Sequence, residues 1–220
     1  MFIGHYAIAL GAKKAAREVN LGTLFFASQF LDLLWPLFLL LGLEHARIVP
    51  GDTAFTPFDF YDYPISHSML TSLGWSFIIA GIYFVVKRNW RNACIVGSVV
   101  FSHWFLDFLS HRPDLPIAPG INTVVGLGLW NSIIGTICVE GSLFIAAIYF
   151  YLRTTKAVDR IGNYAFWSLI VLFLVSYIGN ITSPPPPNMN IVAITGFAQW
   201  LFIVWAYWIE RHRKLREENT

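Results

Sequence analysis

The chain has 220 residues, 56% of them hydrophobic and 13% charged, with a formal net charge of +2. Soluble domains carry about 25% charged residues, so the balance excludes an ordinary water-soluble protein and points to lipid as the solvent. The small net charge gives no basis for nucleic-acid binding. Cys94 and Cys138 each fall in an apolar run without paired-thiol spacing, which argues against a disulfide framework or a thiolate zinc knuckle.

Residues 1–12 are apolar and are followed by Lys13, Lys14 and Arg17. A secretory signal has its charges ahead of its apolar run, so this segment is expected to be a half-helix re-entering the membrane, not a cleaved leader. Apolar stretches follow at about 22–43, 66–86, 93–110, 124–152, 164–182 and 191–209. Each is near the roughly 20 residues that cross a bilayer as a helix. The fourth is long enough to tilt, or to begin as a loop through Gly126 and Gly128. Ser183-Pro184-Pro185-Pro186-Pro187 reads as a short polyproline II loop after the fifth. No internal repeat or second domain is visible. The expected fold is all-α: a polytopic helix bundle over residues 1–220, with six transmembrane helices plus the N-terminal half-helix.

The connections alternate in charge. Lys13, Lys14, Arg17, Lys87, Arg88, Arg91, Arg153, Lys156, Arg160, Arg211, Arg213, Lys214 and Arg216 fall in one set, and only Arg47 and Arg112 in the other. Lys and Arg collect on the cytoplasmic side, which places both termini there.

Against this background Asp32, Asp107 and Glu140 are out of place, each lying within an apolar span. A charged side chain at the bilayer centre costs at least ~2.5–3.5 kcal/mol, and no Lys or Arg in the spans offsets it. Histidines or a metal are the candidate compensators. His103, Asp107 and His111 are spaced four apart, which puts them on one helix face. His-x-x-x-Asp is a usable metal-ligand pair for the same reason as His-x-x-x-His. Counting at ~1.5 Å per residue from the cytoplasmic ends brings His5, Asp32, His103, Asp107 and Glu140 to similar depth. His67 lies nearer the outer end of the second span, in Tyr63-Pro64-Ile65-Ser66-His67-Ser68, where Ser66 also suits an N-cap with Pro64 ahead of it.

The order Gly4-His5, Leu31-Asp32-Leu33, Ser66-His67-Ser68 and His103-Trp104-Phe105-Leu106-Asp107 resembles the predicted membrane-bound metal-dependent hydrolases, a family of bacterial inner-membrane proteins. The resemblance covers about the first half of the chain. The family often has a second acidic residue near the first Asp, where this chain has Leu33-Leu34-Trp35-Pro36, and a His-Arg ahead of His-Ser, where Asp59, Tyr61 and Asp62 stand. The number of metals and the catalytic base therefore stay open.

The resemblance implies a hydrolase in the bacterial inner membrane, with His5, Asp32, His67, His103 and Asp107 as metal ligands. Mixed histidine and carboxylate donors suit zinc, and also manganese or iron. Glu140 or a free Asp, such as Asp107, is the candidate general base, with Ser68 and Arg112 orienting an anionic substrate oxygen. Membrane lipids are the expected surroundings, and a lipid ester, phosphodiester or amide the expected substrate. The alternative is a small transporter or proton-coupled carrier that uses the buried carboxylates, with Gly126, Gly128 and Gly135 breaking the fourth helix.

Overall fold

The computed structural model describes residues 1–217. The chain folds as an all-α bundle containing six helical spans long and apolar enough to cross a membrane, plus a short apolar helix at the N-terminus. That short helix, α1 (Phe2–Ala12), buries Ile3, His5, Tyr6, Ala7, Ala9 and Leu10 and packs among α2 (Leu21–Leu40), α5 (Trp90–Ser110) and α6 (Ile133–Thr154). Its surroundings are protein, which is what an apolar helix too short to span requires.

The helix starts are set by side-chain caps that satisfy otherwise orphaned N–H groups. Asn20 accepts from Gly22 N–H at the head of α2, Asn89 from Asn92 N–H at α5, and Ser132 from Gly135 N–H at α6. Asp159 accepts from Gly162 N–H at α7 (Arg160–Thr182).

Two boundaries differ from expectation. Ser66 is not the cap of the second span. It lies inside the single-turn helix α3 (Pro64–His67), and Ser68 caps α4 (Met69–Lys87) by accepting from Thr71 N–H. The sixth span is divided into α8 (Met189–Gly196) and α9 (Gln199–Arg211). Gly196 sits so close to Pro36 of α2 that a Cβ there would lie 2.7 Å from the ring. The fourth span begins as a loop: Gly126 and Gly128 both have positive φ, and α6 then runs unbroken through Gly135. The glycine break that the carrier reading added to the fourth helix is therefore not found within α6.

The core is aromatic where α1, α2, α7 and α9 meet. Tyr6 stacks on Phe173 at 4.3 Å, with Phe25 and Phe202 against them. On the other side, α4 and α5 approach closely at Gly97, whose carbonyl accepts from Ser76 Oγ at 2.6 Å. One end of the bundle carries the basic clusters and is tied by an ion pair between buried Lys13 and Glu210. It is tied again by the pairing of β5 (Thr155–Ala157) with β6 (Arg213–Leu215). The opposite end carries the antiparallel hairpin of β1 (His45–Ile48) and β2 (Phe58–Asp62). A second short pair, β3 (Leu115–Pro116) with β4 (Val124–Val125), follows α5.

Candidate metal centre

Four elements bring polar side chains to one point. α5 supplies His103 and Asp107 one turn apart and ends on His111, whose N–H donates to the Asp107 carbonyl. α2 supplies Asp32, α3 supplies His67, and α1 supplies His5. His103 Nε2 is 3.1 Å from Asp107 Oδ2 and 3.6 Å from Asp32 Oδ1. His67 Nε2 is 3.4 Å from Asp32 Oδ1 and 3.8 Å from Asp107 Oδ2. His5 Nε2 is 3.2 Å from Asp107 Oδ1, and His111 Nε2 is 4.0 Å from the same oxygen. The Met1 amino group lies 2.9 Å from Asp107 Oδ1 and 3.0 Å from His5 Nε2.

The tautomers of three histidines are fixed from behind. His103 Nδ1–H donates to the Ser28 carbonyl at 2.7 Å. His67 Nδ1–H donates to Ser66 Oγ at 2.6 Å, and Ser66 Oγ–H donates in turn to Glu44 at 2.6 Å. Glu44 is fully buried and also accepts the N–H groups of Ile65 and Ser66, both at 2.7 Å, so one carboxylate holds the start of α3 and aims His67. His111 Nδ1–H donates to Asp114 at 3.0 Å. Tyr63 Oη–H also donates to Asp114, at 3.3 Å. Burial, reinforced by Asp114, pushes the Tyr63 phenol well above its ordinary value, so it remains a donor.

In the neutral ring, with Nδ1 protonated, Nε2 presents a bare lone pair. All three lone pairs face carboxylate oxygens, and buried His103 Nε2 finds no hydrogen-bond donor among the described residues. Lone pairs opposed to anions repel, and a shared cation turns each such contact into attraction. Imidazoles backed by a carbonyl or carboxylate are the usual second shell of metal-ligating histidines. By distance alone, His5, His103 and Asp107 form one ligand group, and Asp32, His67 and His103 form another. The donor set fits a divalent metal.

The centre lies along a cavity of about 700 Å³ whose wall includes Asp32, His67, Asp107 and His111. The wall continues through Trp35, Phe60 and Trp130 to the end of α7, the proline run and the α8–α9 break. Asp32 is a third exposed toward this space, whereas Asp107 is almost fully buried.

Three residues expected to act here lie elsewhere. Ser68 is spent on capping α4, bonding Thr71. Arg112 is paired with Asp52, Asp59 and Asp114 in a cluster beside the hairpin, held there because the hairpin loop and the α5 terminus both present acids. Glu140 is fully buried on α6 and accepts Gly4 N–H at 3.1 Å. It stabilises the N-terminal end of α1, where the helix dipole favours a negative charge, and makes no hydrogen bond to the histidines or Asp107 among the described residues. The residues that sequence reasoning missed are Glu44, Asp114 and Tyr63. Of these, only Asp114, three residues after His111, stands near enough in sequence to have been found by spacing.

No family model matches the chain, and neither a curated protein nor a solved structure does.

Proposed function

We propose that this protein is a metal-dependent hydrolase that works within a membrane, holding a divalent metal, zinc by preference and manganese or iron next, with His5, Asp32, His67, His103 and Asp107. The observation carrying this reading is the set of Nδ1 hydrogen bonds that turn the Nε2 atoms of His67, His103 and His111 onto Asp32 and Asp107. A divalent ion there supplies Lewis acidity and makes water acidic enough to attack near neutral pH. The chain's own residues do the rest. Asp107 and Asp32 balance charge, and Glu44, Ser66 and the Ser28 carbonyl hold the imidazoles in orientation. Asp32, the carboxylate most open to the cavity, is the group placed to take a proton from water.

The aromatic and apolar walls suit an amphipathic substrate drawn from the surrounding lipid, an ester, phosphodiester or amide. The skew of basic residues supports an orientation with both termini cytoplasmic and the cavity mouth facing outward, and the resemblance of the first half of the chain supports a bacterial inner membrane as the setting. The test is hydrolysis of labelled lipids in proteoliposomes. Release that a chelator stops, that added zinc or manganese restores, and that Asp32→Asn lacks is expected. Release that is indifferent to chelator would remove the metal from the reaction.

A further inference from the structure

We infer that the centre is built for two divalent cations bridged by the Asp107 carboxylate, and that it accordingly takes a phosphoester in preference to a neutral ester or amide. This rests on the metal-centre reading above and deepens it. The His5 and His103 rings are parallel to within 4°, with centroids 3.6 Å apart. An imidazole lone pair lies in its ring plane, so lone pairs in parallel planes do not converge on one point. These two meet different oxygens: His5 Nε2 is 3.2 Å from Asp107 Oδ1, and His103 Nε2 is 3.1 Å from Oδ2. Positions offset by that ring spacing match the ~3.5–4 Å separation of two-metal hydrolytic centres.

The other donors divide along the same line. His67 Nε2 approaches Oδ2 and also Asp32 Oδ1. His111 Nε2 faces Oδ1 at 4.0 Å, a gap that one ion closes with two bonds of ~2.0–2.2 Å. The first position is thus His67, His103, Asp32 and Oδ2, and the second is His5, His111 and Oδ1, where the Met1 amino group lies 3.0 Å from His5 Nε2 and 2.9 Å from Oδ1 and is the cation that the second ion would displace. His111 is aimed as a ligand is: Asp114 takes its Nδ1 proton and Trp130 packs on its ring at 4.3 Å.

Charge then selects the substrate. A lone divalent ion is balanced by Asp32 and Asp107, which leaves only the Met1 amino group to attract an anion. A second ion leaves the centre cationic. No Lys or Arg side chain lines the cavity among the described residues, and Arg112 is committed to three carboxylates. The ion pair, together with the Met1 amino group on Asp107 Oδ1, is therefore the positive charge that a phosphoryl group would meet. Hydrolysis there adds water across a P–O ester bond, with the hydroxyl going to phosphorus and the proton to the departing alcohol.

The test is equilibrium dialysis of the full chain in detergent against zinc, after chelator treatment. It is run on wild type, His111→Ala and Asp114→Asn, and wild type is then titrated with inorganic phosphate. About two ions are expected in wild type and about one in His111→Ala. Asp114→Asn should weaken only the second ion, by ~10–100-fold, and it decides the matter should His111→Ala not fold. Manganese-loaded wild type should give the paramagnetic resonance of a coupled pair, and His111→Ala that of an isolated ion. One ion in wild type, unchanged in the variants, overturns the two-ion centre while leaving a metal-dependent hydrolase standing. No ion in wild type removes both. Two ions without phosphate binding overturn the phosphoester assignment.

Discussion

Two regions of this molecule gather carboxylates around basic side chains, and they solve the charge problem differently. Beside the hairpin, Asp52, Asp59 and Asp114 surround Arg112, and Arg47 adds a second guanidinium on Asp59 at 2.6 Å. That cluster brings its own permanent cations. Inside the bundle, Asp32 and Asp107 face imidazoles whose Nδ1 protons are directed outward, away from the carboxylates, and Asp107 also meets the Met1 amino group at 2.9 Å. With the imidazoles neutral, the rest of the positive charge would come from a bound cation. Asp114 joins the two regions, contacting Arg112 with one oxygen and His111 with the other. The difference separates a structural ion cluster from a binding site more surely than the number of charged residues in either.

The contrast predicts a graded series. His103→Ala removes the ligand of the first metal position that faces both Asp32 and Asp107, on which filling of the second depends, and should abolish stoichiometric metal and all hydrolysis, read by metal content and lipid turnover. Retained metal would erase the distinction between the regions. Chelation of wild type should lower Tm reversibly, because a ligand at a hundred times its Kd stabilises by about 2.7 kcal/mol. The same chelator should leave the Tm of His103→Ala unmoved. Glu44→Gln loosens the Ser66–His67 relay and should weaken metal affinity by about 10–100-fold, measured by competition with a coloured chelator. Arg112→Ala should cost about 1–2 kcal/mol of stability, less at high salt because the guanidinium is partly exposed, with the first metal position still filled.

The smallest effect concerns pH. Burial raises the Asp52 carboxyl above its ordinary value of 3.8; Arg112 opposes this, while Asp59 and Asp114 add to it. Folded protein therefore keeps the Asp52 proton after the unfolded chain has lost it, and stability falls as pH rises through that window. Asp52→Asn should flatten the slope in acid unfolding curves while metal content stays constant.

The six spans were legible because length and apolarity in lipid leave few alternatives, and α1 was legible because Lys13 and Lys14 follow an apolar run too short to cross. The α8–α9 break was not, since it depends on Pro36 arriving from a helix more than 150 residues earlier. In the centre, His5, Asp32, His103 and Asp107 stood out because polar residues in apolar spans are costly, and His67 through the Ser66-His67-Ser68 resemblance. The roles of Glu44 and Asp114 did not stand out. Each lies at a span end where a charge is unremarkable, and only the folded contacts reveal that they aim His67 and His111. Arg112 was misassigned for the complementary reason: spacing places it beside the site, but nothing in spacing announces the three acids that occupy it.

The most direct measurement is elemental analysis of the purified protein, wild type beside Asp107→Ala. Stoichiometric zinc, manganese or iron in wild type and none in a folded Asp107→Ala is the predicted result. Well-folded wild-type protein that neither carries nor takes up metal would contradict the account, and would mean that the imidazoles themselves hold the positive charge.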